Sequence, residues 1–392
     1  MKRYRITLLI IGLFSCLAQF AIDIYTPSVP AIALQFHVSL SAVQWSISIY
    51  AVGLCLSMLV YGPLSDAIGR RKPLILGLIL MMIGSLVCAL SLNITQLIVG
   101  RLVQGLGAGA IAVLWRAMMR DLFSGDELAQ YSSYLVPIIV GIMAVAPLLG
   151  GYFQHYVSWR ASFVFLLVYA IASSILILWQ YKEAKLPSNK MKIATVLSSF
   201  REVLIHRVFI AYALCVFLAF AAYFSWFLIG PVVAIHLLKL TSIQFGWMNS
   251  LALVCMTPLA SMLNARWVKR IKGYNMLCFG FVIIFIAGFG LFIESELFSL
   301  SVYSILIAIF LLNFGLGFIW VNAASGAMTP FGHMAGTAAT LYAFIQYAGG
   351  ACVGSLLSEL PDHTAMPLAL SWMIIPLLGL AVIRFLVVRS LR

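Results

Sequence analysis

The sequence predicts an all-α membrane protein with twelve transmembrane helices, divided into two halves of six. Of the 392 residues, 64% are hydrophobic and 9% are charged, whereas soluble domains contain about 45–50% apolar and about 25% charged residues. Apolar stretches of about 20 residues, long enough for a membrane helix, recur along the chain. One polar connection, between residues 180 and 207, is longer than the others and follows the sixth stretch.

The predicted spans follow one another with short connections. They lie at 6–30, 43–62, 74–92, 94–115, 131–152, 160–179, 208–235, 245–265, 274–293, 298–321, 335–359 and 365–386. The polar connection divides the chain into an N-terminal six-helix half at 1–180, a linker at 181–207 and a C-terminal six-helix half at 208–392. A cleavable signal peptide is the alternative for the first span, but Phe14 is too bulky near a cleavage site and the apolar run continues past Cys16.

The positive charges are distributed asymmetrically between alternate connections. The formal net charge is +13, which in a soluble protein would suggest nucleic-acid binding. Here the Lys and Arg residues fall at the two termini and in the connections on one side of the membrane, with the exceptions of Arg101, Arg160 and Lys239. Because positive residues are retained in the cytoplasm, we expect both termini there and no nucleic-acid partner.

Several enzyme classes lack their signatures in this sequence. It contains no Gly-Lys pair, hence no P-loop, and no HExxH zinc motif. The seven cysteines lie in predicted spans without a CxxC pair, which is typical of small apolar packing residues. We therefore expect no enzyme activity, no metal site and no bound cofactor.

An acidic residue interrupts the first predicted span. Gly12, Ser15, Gln19 and Asp23 recur at three- or four-residue intervals and so share one helical face. The helical rise places Asp23 at about the same depth as Arg101, in the fourth span. Because an unpaired charge in the membrane is costly, we expect a buried ion pair between Asp23 and Arg101.

The predicted ion pair has a structural and a functional interpretation. A buried pair can serve only to hold helices together. A buried carboxylate beside an arginine can also bind and release a proton, because burial favours the neutral form and the arginine favours the charged form. The functional hypothesis is therefore that Asp23, with Arg101, couples the protein to protons.

Three short motifs resemble those of a known family. Residues 62–72 read GPLSDAIGRRK, residues 97–109 read LIVGRLVQGLGAG and residues 141–151 read GIMAVAPLLGG. They resemble, in this order, the first-loop, fourth-helix and fifth-helix patterns of the major facilitator superfamily. The third motif has Ala146 where a glycine is usual.

Further segments are similar to one branch of that superfamily, the Bcr/CflA-type drug-resistance exporters. These segments are DIYTPSVPAIA (23–33), WRAMMRDLF (115–123) and SGAMTPFGHMAGTA (325–338), and the similarity covers nearly the whole chain. The loop that corresponds to the first motif in the second half, ARWVKRIKG (265–273), keeps the positive residues and lacks the acid. We therefore expect a weaker cytoplasmic latch in that half.

The resemblance implies two pseudo-symmetric six-helix bundles around a central cavity, in the major facilitator fold. It implies a monomer in a bacterial cytoplasmic (inner) membrane that uses the proton gradient and has a small-molecule substrate, protons and the lipid bilayer as partners. Small residues and a bendable fifth helix fit a rocking motion, although packing without motion would need them equally. The motif residues expected to act in conformational gating are Gly62, Asp66, Gly69, Arg70, Arg71, Arg116, Gly141, Pro147, Gly150 and Gly151.

By the same resemblance, the first, fourth, seventh and tenth spans line the cavity. Polar groups among aromatic walls are typical of a small-molecule pocket, although each aromatic residue could instead pack against lipid or neighbouring helices. The predicted cavity residues are Gln19, Tyr25, Gln104, Tyr223, Phe224, Trp226, Phe227, Asn313, Trp320, Asn322 and, from the eleventh span, Gln346.

The favoured function is proton-coupled export of small amphipathic molecules or drugs by alternating access. One alternative is export of an endogenous metabolite such as a siderophore, sugar or amino acid. An uptake symporter is a second alternative, which the fifth-helix motif argues against. A non-transporting receptor or scaffold is a third, disfavoured by the intramembrane charges.

Overall fold

The computed structural model describes residues 2–123, 125–180, 193–268, 270–359 and 364–390. Throughout these residues the regular structure is helical. The helices are α1 (Lys2–Asp23), α2 (Val29–Phe36), α3 (Leu40–Ile68), α4 (Arg71–Leu90), α5 (Ile94–Leu122), α6 (Gly125–Tyr156), α7 (Trp159–Gln180), α8 (Ile193–Ile205), α9 (Arg207–Pro231), α10 (Ser242–Trp267), α11 (Gly273–Leu297), α12 (Val302–Met328), α13 (Ala335–Leu357), α14 (Met366–Val382) and α15 (Val388–Ser390). Short 3₁₀ segments at Thr26–Ser28 and Thr329–Met334, and π-helical segments at Val232–Leu237 and Ile383–Val387, join or extend them.

The prediction of an all-α membrane protein is confirmed. Eleven stretches of the described chain are helical, long and apolar enough to cross a membrane. The fifth predicted span coincides with α6, a helix of 32 residues in which several side chains lie outside the described part. Residues 181–192 of the predicted linker also lie outside it, and the remainder of the linker forms the helix α8.

Side chains at the helix starts explain where several spans begin. Ser39 and Asn93 cap α3 and α5, accepting hydrogen bonds of 3.2 and 2.9 Å from backbone N–H groups three residues later. Thr241 and Ser301 form capping boxes at the starts of α10 and α12. These contacts satisfy N–H groups that have no partner inside the helix. At the end of α3, Gly69 has a φ of 92°, which glycine adopts readily, and the chain turns there into α4.

The first predicted span differs from a single helix over residues 6–30. The helix α1 ends at Asp23, a 3₁₀ turn occupies Thr26–Ser28, and α2 begins at Val29. Pro27 and Pro30 explain the interruption, because proline lacks the N–H group needed for the continuing helical hydrogen bond. Asp23 is therefore the last residue of its helix, with its backbone carbonyl accepting a hydrogen bond of 2.8 Å from the Thr26 hydroxyl.

Glycines allow the closest approaches between helices. Within the first six-helix half, Gly105 and Gly109 of α5 lie against the α3 backbone near Tyr50 and Leu54, where an added Cβ would overlap. This is the packing expected of a GxxxG pair. The two halves meet along α3 with α13 and along α6 with α10, and the functional site lies between these two seams.

Candidate functional site

A central cavity of about 180 Å³ lies between the two halves. Four of the predicted cavity residues line it, namely Gln19 of α1, Tyr223 of α9, Trp320 of α12 and Gln346 of α13. Residues of both halves therefore line the cavity, as expected of a site whose shape changes when the halves move. Its polar groups are few and are separated by aromatic rings, which suits a small amphipathic ligand.

Residues beyond the predicted cavity set also line the central cavity. Trp115, Phe220 and Tyr347 supply aromatic walls, and Arg116 supplies the positive charge. The Arg116 guanidinium lies over the Trp115 ring, 4.4 Å from its centroid, and Nη1 donates to the backbone carbonyl of Ala112 at 3.1 Å. Arg116 was predicted as a gating residue from its motif, and the structure places it in the cavity wall. The available signal was its position, one residue beyond the end of the predicted span at residue 115.

A second, smaller cavity of about 20 Å³ adjoins the first, and Tyr223 lines both. Of the predicted residues, Asp23, Trp226, Phe227 and Asn313 line it. Its described walls also include Met143 and Pro147 of α6 and Asn249 and Leu253 of α10. The small cavity thus places the carboxylate at the junction of the two halves, where Tyr223 and Met143 line both this cavity and the central one.

The surroundings of Asp23 are almost closed to solvent. The residue is 2% exposed, and its Oδ1 accepts a hydrogen bond of 3.0 Å from Gln19 Nε2. Gln19 faces the central cavity as well, so one amide touches both the carboxylate and the space where a ligand would lie. A buried carboxylate with a neutral partner is costly in its charged form, which makes protonation of Asp23 responsive to its surroundings.

Asn313 presents an acceptor to the same small cavity. Its Nδ2 donates to the backbone carbonyl of Ile309 at 2.9 Å, which fixes the amide plane. Its Oδ1 is buried without a hydrogen-bond partner. Asn249, in contrast, uses both ends of its amide, accepting from Trp226 Nε1 at 2.5 Å and donating to the backbone of Phe245 at 2.7 Å. Asn313 Oδ1 is therefore available to a protonated carboxyl or to a water molecule.

The prediction of an ion pair between Asp23 and Arg101 is wrong. Both residues lie in the described part of the chain, and no salt bridge joins them; the salt bridges found there are those of Arg70 with Asp66 and Asp121. The predicted depth is nearly right, because Arg101 Nη1 donates at 3.0 Å to the carbonyl of Ala21, two residues before Asp23. The Asp23 side chain, however, faces Gln19 and the small cavity, whereas the Arg101 side chain lies among groups of α3 and α5.

Arg101 is held inside the first half and is 0% exposed. Its Nη1 also donates to Gln104 Oε1 at 2.6 Å, and its Nε donates to the carbonyl of Ser46 at 3.4 Å. The guanidinium lies 4.1 Å from the Tyr50 ring centroid and 4.9 Å from that of Tyr25. Backbone carbonyls, an amide and aromatic faces thus replace the expected carboxylate, and Arg101 ties α5 to α1 and α3.

Four predicted cavity residues line neither of these two cavities. Tyr25 donates to or accepts from Ser46 at 2.8 Å and Gln104 Nε2 donates to Ser85 at 2.9 Å, so both lie within the first half around Arg101. Phe224 is buried against α13 near Gly350. Asn322 donates to Asn264 Oδ1 at 2.6 Å inside the second half. In each case the side chain contacts another helix of its own half.

A charged cluster closes the α3–α4 turn. Arg70 pairs with Asp66 and, through Nε, with Asp121 Oδ2 at 3.0 Å; Nη1 also donates to Ser65 at 2.8 Å. Burial lowers the pKa of Arg70, but the hydrogen bond to Asp121 and the charge of Asp66 outweigh it and leave the pKa above its ordinary value. Asp121, at the end of α5, was not predicted; its only signal was an acid inside the WRAMMRDLF segment.

The other predicted gating residues differ in their contacts. An added Cβ at Gly62 would lie 3.2 Å from Thr340 of α13. Arg71 is the first residue of α4. Gly150 lies against the carbonyl of Ile24 and Gly151 against that of Ser242, both too close for a side chain. The Pro147 carbonyl meets Gly246. Gly141 differs, because an added Cβ there would meet no atom within 4 Å.

Hydrogen bonds join the two halves at the end of the molecule opposite the α3–α4 turn. Gln44 Nε2 donates to the carbonyl of Leu228 at 2.9 Å, and Trp45 Nε1 donates to Glu359 Oε1 at 3.1 Å. The Ser242 hydroxyl donates to the carbonyl of Pro27 at 3.4 Å. The central cavity extends the other way, toward Trp115 and Arg116 near the end of α5.

Comparison with known proteins finds relatives that align with nearly the whole chain. The chain is 28% identical over 389 residues to a bicyclomycin resistance protein homolog of Haemophilus influenzae, covering 99% of this chain and 97% of the relative. It is 31% identical over 379 residues to an uncharacterised MFS-type transporter of Bacillus subtilis, with 94% and 92% covered, and 28% identical over 389 residues to multidrug resistance protein D of Escherichia coli, with 98% and 96% covered.

The names of two of these relatives confirm the resemblance to drug-resistance exporters of the Bcr/CflA type. A sequence model of the Major Facilitator Superfamily matches residues 11–355, which includes both cavities and most of the helices around them. The chain therefore belongs to the Major Facilitator Superfamily.

Proposed function

We propose that the protein is a proton-coupled exporter of small amphipathic molecules, drugs among them, that works by alternating access. The observation that carries the proposal is the position of Asp23, a buried carboxylate beside a cavity built from both halves. Relatives of nearly the same length are named for resistance to bicyclomycin and to multiple drugs, which supports export of compounds of this kind.

The proposed orientation of the protein in the membrane determines the side to which the central cavity opens. With both termini in the cytoplasm, the α3–α4 turn and Arg116 lie on the cytoplasmic side, and the Gln44 and Trp45 contacts close the outer side. A substrate would then enter from the cytoplasm and lie among Trp115, Trp320 and Tyr347. Aromatic faces bind varied ring systems and cationic groups, and Gln19, Gln346 and Arg116 offer a few directed polar contacts.

Asp23 supplies the coupling step in this cycle. When the outer contacts separate, the small cavity becomes accessible from the outside and Asp23 takes up a proton, which removes the cost of a buried charge. Gln19 bonds the carboxylate and faces the substrate space, so protonation changes the polar wall that the substrate touches. Substrate leaves as the proton binds, and the proton is lost after the cavity reopens to the cytoplasm.

The test is transport in proteoliposomes under an imposed pH gradient, with bicyclomycin as the probe. We expect wild-type protein to move bicyclomycin against the proton flux, and Asp23→Asn to lose gradient-driven transport while substrate exchange without a gradient continues. Glu296→Gln, which changes an exposed acid at the end of α11, is the matched control. Undiminished gradient-driven transport by Asp23→Asn, or movement of substrate in the same direction as protons, would contradict the proposal.

A further inference from the structure

A third cavity, of about 460 Å³, lies at the membrane boundary of the second half, away from the two central cavities. Its described walls come from the end of α8, the start of α9 and the π-helical end of the last span. Arg207 and Arg389 are the charged residues of its described lining, which contains no acidic residue. Leu204, Ile205, Ile210, Phe385 and Leu386 complete the lining.

The two arginines lie at one level of the bilayer. Arg207 is the first residue of a candidate membrane span, and Arg389 follows by two residues the end of another, at Val387. Both are exposed and neither takes part in a salt bridge in the described part of the chain. Two guanidinium groups on one cavity form a site for an anion, because arginine binds phosphate oxygens through several N–H groups at once.

The start of α9 is one of three helix ends at this cavity. The α9 helix begins at Arg207, and the side chain of the preceding His206 makes no capping hydrogen bond. The first N–H groups of a helix and its dipole both favour a nearby anion. The C-terminal ends of α8 and of the last span line the same cavity, and their dipoles oppose this contribution, so the positive charge of the site comes from the two arginines.

The apolar walls distinguish the site from one for a free anion. Ile205 is 69% exposed and Phe385 is 59% exposed, and both belong to the cavity that holds the arginines. A free phosphate would leave these side chains without a partner, whereas an acyl chain would cover them. Apolar surface covered in this way contributes about 25 cal/mol per Å².

We propose that this cavity binds an anionic phospholipid, with its phosphate between Arg207 and Arg389 and its acyl chains against Ile205, Ile210 and Phe385. A basic pocket at a membrane boundary next to exposed apolar side chains is the chemistry that lipid headgroup recognition requires. The bound lipid would join α8, which belongs to the predicted linker between the halves, to the first and last helices of the second half.

Native mass spectrometry of the purified full-length protein, with phosphatidylglycerol as the probe, tests the proposal. We expect phosphatidylglycerol to bind more tightly than phosphatidylcholine, and Arg207→Gln or Arg389→Gln to weaken binding by about fivefold each and by about thirtyfold together. Arg384→Gln is the matched control, because Arg384 is an exposed arginine of the same segment that does not line the cavity; it should change binding less than twofold.

Two further measurements separate the lipid from other occupants. Phe385→Ser should weaken phosphatidylglycerol binding without altering the charge of the site, and inorganic phosphate should neither bind comparably nor compete at equal concentration. Equal binding of phosphatidylcholine, an unchanged affinity in the double arginine variant, or competition by inorganic phosphate would each overturn the proposal. Melting temperatures without added lipid verify that each variant is folded, and the wild-type preference between the two lipids stays informative if a variant is not.

Discussion

Replacing Arg101 by methionine should destabilise the protein, whereas replacing Asp23 by asparagine should not. Arg101 Nη1 and Nε make three hydrogen bonds, of 3.0, 2.6 and 3.4 Å, to α1, α5 and α3. Methionine fills similar space but makes none of these bonds. It leaves the carbonyls of Ala21 and Ser46 without their partner in a buried site.

The change in the free energy of unfolding caused by Arg101→Met is the difference between opposing contributions. Three hydrogen bonds from a charged donor contribute about 1.5–3 kcal/mol each, and the two aromatic faces add about 1 kcal/mol each. Removing the guanidinium returns a desolvation penalty of several kcal/mol. The net destabilisation that we expect for Arg101→Met is therefore about 2–5 kcal/mol.

The assay is thermal unfolding of the purified protein in detergent. For a chain of this size, a loss of 1 kcal/mol lowers Tm by about 2 °C, so Arg101→Met should lower it by about 4–10 °C. Asp23→Asn keeps the shape of the side chain and removes a buried charge, so its Tm should equal or exceed that of the wild type.

The comparison of the two variants is decisive. If Asp23 and Arg101 were a buried ion pair, Asp23→Asn would leave the arginine uncompensated and would cost about 3–5 kcal/mol. Equal destabilisation by the two substitutions would therefore refute the geometry described above. An unchanged Tm for Arg101→Met would refute the role of Arg101 in tying three helices together.

Three further outcomes are expected from the site. Gly150→Val should abolish transport, because the backbone of a neighbouring segment occupies the space of its Cβ, while Gly141→Val, which faces open space, should leave transport within about twofold when both are assayed in the same vesicles. Asp121→Asn and Asp66→Asn should each slow transport and preserve substrate affinity, because both acids form ion pairs with Arg70. A loss of equilibrium substrate binding in either variant would contradict this expectation. Asn313→Leu removes an acceptor that favours the protonated carboxyl across the small cavity, so the pH profile of gradient-driven transport should shift to lower pH; a shift to higher pH would show that Asn313 acts on the charged form.

The sequence was sufficient for the positions of the spans, because a membrane helix is defined by the length and polarity of a local stretch. Even the depth of Arg101 was nearly right, since helical rise is constant. The contact with α1 falls at Ala21, within two residues of the expected level.

The direction of side chains was harder to predict. The argument from helical faces fails after Asp23, because the helix ends there and a proline-containing turn follows; Tyr25 consequently points toward Arg101 and away from the cavity. The expectation that a buried charge needs an opposite charge is wrong for Arg101: two backbone carbonyls, the Gln104 amide and aromatic rings contact the guanidinium, while Nη2 has no hydrogen-bond partner in the described part of the chain. Neither backbone partners nor ring faces leave a signal in the sequence.

Contacts between the two halves also could not be predicted from a single sequence. Asp23 and Asn313 share a cavity although they are separated by ten of the helices. Their meeting depends on how the halves pack together, whereas helical periodicity is a property of one helix at a time.

The most direct test of the account is proton release on substrate binding, measured with a pH indicator in weakly buffered, detergent-solubilised protein. Addition of bicyclomycin to the wild type should release protons, Asp23→Asn should release none, and Arg101→Lys should release as many as the wild type at the same pH. Release that persists in Asp23→Asn, or disappears in a folded Arg101→Lys variant, would contradict the assignment of the proton to a carboxylate that acts without an arginine partner.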